Sequence, residues 1–194
     1  MKKNKFPLFL IVVLMIPIFS CVRDTDFGQW ENINLTPVVE LDFIYSEFDV
    51  EDEIPENAPP DTEFEVNEPI RDTIDYDLVG SDFSIDNLDR VEFHLEIRNQ
   101  IQRNFGVQFQ FLTEDGQPIG QLYDIFVAAG NGKDADPVIS RSVPDPLVLD
   151  RGDLRRLENA QKVYAELIIP TLNTNLTGIL TLRSKGVYYV NYFP

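Results

Sequence analysis

The stretch VEFHLEIRN, residues 91–99, constrains the fold more than any other part of the chain. Val91, Phe93, Leu95 and Ile97 alternate strictly with Glu92, His94, Glu96 and Arg98. Neighbouring side chains of a strand point to opposite faces, so a period of two excludes a helix and defines one apolar and one polar face. GVQFQFL, residues 106–112, repeats the pattern, with Val107, Phe109 and Phe111 against Gln108 and Gln110. The intervening NQIQRN predicts that the two runs form an antiparallel pair joined by a longer loop.

The remaining chain reads in the same way. Val39, Leu41 and Phe43 alternate in TPVVELDFIYSEFDV, a further strand with at least one apolar face. TEDG at 113–116 is a turn signal before the strand candidate QLYDIFVAA, AGNGKDADP marks a loop, and PVISRSV predicts a short edge strand bounded by prolines. GNGK within that loop lacks the spacing of a phosphate-binding loop and reads as an exposed turn. One helix is expected, in DRGDLRRLENAQ, where Asp150 or Asp153 can cap and Leu154, Leu157 and Ala160 form the apolar stripe. KVYAELII alternates through Val163, Ala165, Leu167 and Ile169. GILTLRS and VYYVNYF then flank Lys185 and Gly186, which read as the two residues of a tight hairpin. The expected fold is all-β, an antiparallel β-sandwich, immunoglobulin-like in style, of seven or eight strands with one short helix. With 14 Phe and 7 Tyr the chain can fill one such core, placed at 37–194.

Charge narrows the function. Residues 40 to 90 hold 18 Asp and Glu and only two basic residues, Arg71 and Arg90. Pro55, Pro59, Pro60 and Pro69 fall in the same region and prevent a helix or central strand from propagating. Residues 51–72 therefore read as an extended acidic loop or linker. A calcium site there is the other reading, but DVEDEIPEN lacks the ligand spacing and sixth-position glycine of an EF-hand loop. So acidic a body is repelled by phosphate backbones and anionic headgroups, which excludes nucleic acid as an expected partner.

The start of the chain carries a different signal. Lys2, Lys3 and Lys5 precede an apolar run from Phe6 to Phe19, too short to span a bilayer and interrupted by Pro7 and Pro17. Residues 1–20 are read as a secretory signal, and its removal takes the formal charge from -17 to about -20. The run ends in Ile18-Phe19-Ser20-Cys21, which holds the single cysteine of the chain. A lone cysteine in an exported chain cannot close an internal disulfide. IFSC resembles a lipobox, of the looser kind found in Bacteroidota outer-membrane lipoproteins, with Phe19 departing from the usual small residue. The resemblance implies cleavage before Cys21 and lipidation of that residue. It also implies an outer-membrane location, since Val22 replaces the Asp that retains such proteins at the inner membrane. VRDTD after the cysteine is a diluted version of the acidic surface-export signal, so the cell surface is slightly favoured over the periplasmic face. Residues 21–36 are the N-terminal tether, onto which Trp30 adds one aromatic.

Few residues invite chemistry. His94 lies on the polar face of its strand between Glu92 and Glu96 and reads as a surface imidazole. No GxSxG elbow or metal-ligand spacing is present, so no catalytic residue, metal or cofactor is assigned and an enzyme is not expected. In VYYVNYFP, Tyr188 and Tyr192 share one side with Val190; they read either as a strand covered on both faces or as a strip for a partner or glycan. DTI at 72–74 resembles the Bacteroidota O-glycosylation pattern and implies a glycan on Thr73. The expected function is a lipid-anchored, non-catalytic binding or accessory protein of the outer membrane, as a subunit of an envelope complex. A surface glycan-binding or adhesive module is the second reading, and a hydrolase the weaker third.

Overall fold

The alternating runs become the long strands of two facing sheets in a computed structural model that describes residues 35–66, 70–76 and 78–192. In chain order the elements are β1 (Val38–Asp49), a 3-10 turn (Val50–Glu53), β2 (Glu63–Phe64), β3 (Ile70–Asp75) and α1 (Asp82–Asn87). Then come β4 (Leu88–Asn99), β5 (Phe105–Leu112), β6 (Pro118–Val127), β7 (Val138–Arg141), β8 (Leu147–Asp150) and α2 (Arg151–Arg156). The series closes with β9 (Lys162–Ile168), β10 (Leu172–Asn173) and β11 (Ile179–Val190). Leu35–Tyr192 form one unit, an all-β antiparallel sandwich. The first sheet runs β1-β11-β4-β7, with β8 also on β4, and the second runs β3-β9-β5-β6.

The period of two converts into burial as its physics requires. Val91, Phe93, Leu95 and Ile97 on β4 and Phe105, Val107, Phe109 and Phe111 on β5 are all buried. An aromatic cluster ties the sheets together: Phe93 lies 6.1 Å from Phe111, and Phe43 lies 4.6 Å from Tyr76 and 5.2 Å from Phe93, ring centre to ring centre. Burying each such ring contributes about 1.5–3 kcal/mol, which makes this cluster a principal source of cohesion.

Several expectations are corrected. β4 and β5 do not pair with each other; they belong to opposite sheets, and 100–104 is an arch between layers. Asn99 builds the arch, donating to the carbonyls of Arg103 (2.8 Å) and Ala128 (2.7 Å) while its side-chain oxygen accepts from the Ile101 amide (2.8 Å). Ile101 is driven fully into the core. Nor is there a hairpin at Lys185-Gly186. β11 runs straight through, with Gly186 opposite Leu41 on one side and Phe93 on the other. Glycine stands here because a Cβ would meet the Tyr188 ring at 2.6–2.8 Å.

Eleven strands and two short helices are present among the described residues, more than expected, because β2, β3, β8, β10 and α1 carry no long apolar pattern. Ser81 caps α1 by accepting from the Ser84 amide at 3.3 Å. The acidic segment is seated on the sandwich, with β2 pairing to β10 and Asp61 accepting from Asn173 and Asn175, both at 3.2 Å. Its last residues, from Ile70, already belong to β3. The anticipated α2 is capped by a reciprocal Asp150–Asp153 box.

Candidate functional site

The two sheets close on one side and stay apart on the other. On the closed side β6 leads toward β7, and the Ala128 amide donates to Ser140 Oγ at 3.0 Å across the layers. On the open side the bordering strands are β1 and β3, each the last strand of its sheet. Between them lies a cleft of about 440 Å3. Its floor is apolar, formed by the partly exposed Leu182 and Ala165 together with the buried Ile97 and Leu180 of the first sheet and Val107 and Val163 of the second.

β1 walls the cleft in an unusual way. Residues Phe43 to Asp49 line it without a gap, so residues of both faces contribute and the exposed edge of the strand looks into the cleft. β1 can do this because its ladder to β11 slips between Asp42 and Tyr45. The slip is stitched by Ser184, whose buried hydroxyl accepts from the Ile44 amide at 2.7 Å and donates to the Ile44 carbonyl at 3.3 Å. Past the bulge the inward parity changes from Phe43 to Phe48, so both rings reach the core.

The rim is acidic. Glu47 and Asp49 come from β1, Asp52 and Glu53 from the turn after it, Asp72 from β3 and Glu166 from β9, with Arg71 the single base. None of the six takes part in an ion pair among the described residues. Nor do they converge on a point: no group of three or more His, Cys, Asp or Glu among the described residues is arranged to hold a metal ion. Chemically, this arrangement can take an apolar group into the cleft and a positive charge at its mouth.

The residues singled out by sequence fall elsewhere. Tyr188 is only 5% exposed, its hydroxyl hydrogen-bonded to that of Tyr76 inside the core, and burial pushes both phenols above their ordinary range. Tyr192 is 37% exposed and lies 6.4 Å from Phe83. A bulge between Tyr189 and Val190 breaks the alternation that would have put Tyr188 and Tyr192 on one face, so the tyrosine strip does not form. The tyrosine that faces out of β11 is Tyr189, covered by Arg90 at 4.0 Å and donating to Glu92 at 3.1 Å. Thr73 is exposed on β3, its amide donating to Asp72 at 2.7 Å.

His94 lies within 3.9 Å of Asp145, which Arg141 also approaches at 3.6 Å, in a surface belt of paired charges. In that belt the Arg98 hydrogen bond, with Arg141 adding to it, holds Glu96 below the ordinary carboxylate range. Cys21 with its lipobox, Trp30 and the tether as far as residue 34 lie outside the described residues. Among the described residues no helix is long and apolar enough to cross a membrane. Sequence reading missed the cleft itself, because it is made by the edges of two strands, β1 ending at Asp49 and β3 starting at Ile70, rather than by any local motif.

No protein-family model matches the chain, and no curated protein does. Among solved structures, a chain of the infectious bursal disease virus T13 particle matches with a TM-score of 0.39 and 14% identity, over 82% of this chain and 32% of that one. The VP2 subviral particle of the same virus gives 0.40 and 10% identity, over 82% and 34%. Desmodium yellow mottle tymovirus gives 0.31 and 8% identity, over 84% and 92%. This chain thus spans about a third of the length of the bursal disease virus chains it matches. At these scores the likeness is too loose to bear on what the protein does.

Proposed function

We propose that the protein is a lipid-anchored, non-catalytic binding or accessory protein of the outer membrane, a subunit of an envelope complex, with the β1–β3 cleft as its docking surface. The observation that carries the reading is the cleft: a partly exposed apolar floor between two sheet edges that no further strand pairs among the described residues. Exposed apolar surface of this kind marks a place where something else packs. The lipobox-like IFSC supplies the anchor. Several acyl chains hold a protein firmly to a bilayer, and confinement to that surface raises its effective concentration for a membrane partner without adding contacts.

The test is affinity purification of the tagged, lipidated protein from its own outer membrane in mild detergent, with Cys21→Ala as control. A stoichiometric membrane protein present with the parent and lost with Cys21→Ala supports the reading; a solitary lipoprotein overturns it. The glycan-binding reading moves to a different surface. Phe126 is 69% exposed on the outer face of the second sheet, next to Gly106 and one row from the Gln108–Asp124 pair. Sugar binding lost in Phe126→Ala and untouched by changes in the cleft would favour it.

A further inference from the structure

We infer that the cleft takes an extended segment of a partner protein in which apolar residues alternate with Lys or Arg, added as a strand along the edge of β1 that no strand pairs among the described residues. The inference rests on the docking role proposed above and names its chemistry. A free strand edge presents unpaired backbone donors and acceptors, and an incoming chain satisfies them by continuing the sheet. The side chains of such a strand alternate. One set would point between the sheets, toward the partly exposed Leu182 and Ala165, where only apolar groups are stable. The other set would point out beside Asp42, Tyr45 and Glu47, where positive charge is favoured.

Charge also rules between occupants. A second copy of this chain would bring its own edge, VVELDFIYSEFD, and set Glu and Asp opposite Glu and Asp. The bulge between Asp42 and Tyr45 further twists the edge away from flat self-pairing. A basic strand turns the same carboxylates from repulsion into attraction, and the remaining rim acids Asp52, Glu53, Asp72 and Glu166 extend that field around the mouth.

The experiment uses the full lipidated protein in nonionic detergent and fluorescent peptides of about nine residues, a length typical of strands. One peptide alternates Val with Lys, one alternates Val with Glu, and a third is the Val/Lys peptide N-methylated at alternate residues along one edge. Anisotropy is read against an Ala165→Leu variant with a filled cleft, which subtracts binding to the micelle. The Val/Lys peptide is expected to bind, at least tenfold more weakly to the combined Asp52→Asn, Glu53→Gln and Asp72→Asn variant and more weakly as salt is raised. The Val/Glu and N-methylated peptides are expected not to bind above the Ala165→Leu background. Equal binding of the Val/Lys and Val/Glu peptides overturns the inference, as does binding indifferent to N-methylation or no binding of any peptide. A dimer detected by sedimentation that the Val/Lys peptide dissociates would reassign the cleft to a second copy and overturn it too. Peptide binding with no partner in the purification would sink the accessory role while leaving the cleft chemistry standing. A co-purified partner with no peptide binding would do the reverse.

Discussion

At the residue scale, the pair Gly186 and Tyr188 shows how a position can look like a turn and be a packing device. The Tyr188 ring folds back over Gly186, and its hydroxyl meets that of Tyr76 in the core. Gly186→Ala places a methyl group within 2.6–2.8 Å of the ring and is expected to destabilise by about 1–3 kcal/mol, read as a lower urea midpoint at unchanged slope. Tyr188→Phe leaves the Tyr76 hydroxyl buried and unpaired, at a cost of about 1–3 kcal/mol, and the double Phe variant is expected to cost less than the two singles summed. The pair also sets an alkaline limit. Burial, with the neighbouring phenol adding to it, raises Tyr76, and burial raises Tyr188, whereas an unfolded tyrosine ionises near 10.0. The contribution is fully present below that unfolded value and is lost as pH rises above it, because the unfolded chain gives up protons that the fold retains. Tyrosinate absorbance is therefore expected to show Tyr76 and Tyr188 ionising only together with unfolding, and the double Phe variant to lose less stability above pH 10.

At the element scale, what was legible and what was not have separate physical causes. The strands β4, β5 and β9 could be read from Val91–Ile97, Val107–Phe111 and Val163–Ile169 because one face of each is buried and alternation follows directly. Which strand pairs with which could not be read, since the same alternation serves a hairpin or a crossing between layers. The decision lay with Asn99, a polar residue buried in the arch, and with Gly130, where a Cβ would meet the backbone of Asn99 and Gln100 at 2.3–2.5 Å. The β1 bulge was equally hidden, because it depends on Ser184, 140 residues from Ile44. Ser184→Ala removes the group that satisfies the Ile44 backbone and is expected to cost about 1–2 kcal/mol and to raise hydrogen exchange along β1. The cap of α2 was visible in DRGD. The Asp153 and Gly152 amides hold the Asp150 carboxyl below its ordinary value of 3.8. Its stabilisation is present above that value and fades as pH falls through the folded pKa. Asp150→Ala is therefore expected to melt lower than the parent at neutral pH, with the gap narrowing in acid.

At the scale of the whole molecule, one core is finished in one place and unfinished in another, and that contrast can be measured. Ala160, just before β9, and Ala165, within it, lie five residues apart. Ala160 is fully buried and pressed against Gly80, where even a Cβ would fall 2.1 Å from the Ala160 carbonyl oxygen. Ala165 faces the open cleft between Val163 and Leu167. A close-packed interior resists added volume, whereas an apolar surface left in contact with water gains when it is covered. Ala160→Leu is therefore expected to cost about 1–3 kcal/mol. Ala165→Leu is expected to be neutral or to stabilise by up to about 1–2 kcal/mol, while abolishing whatever the cleft binds. Denaturation of both variants beside binding of the Val/Lys peptide reads the two effects separately. If Ala165→Leu proved as costly as Ala160→Leu, the space between β1 and β3 would be closed in solution and the docking surface would have to be sought on another face. A gain in stability coupled to a loss of binding would mean that the fold leaves this gap open at the expense of its own cohesion, as a surface kept for a partner does.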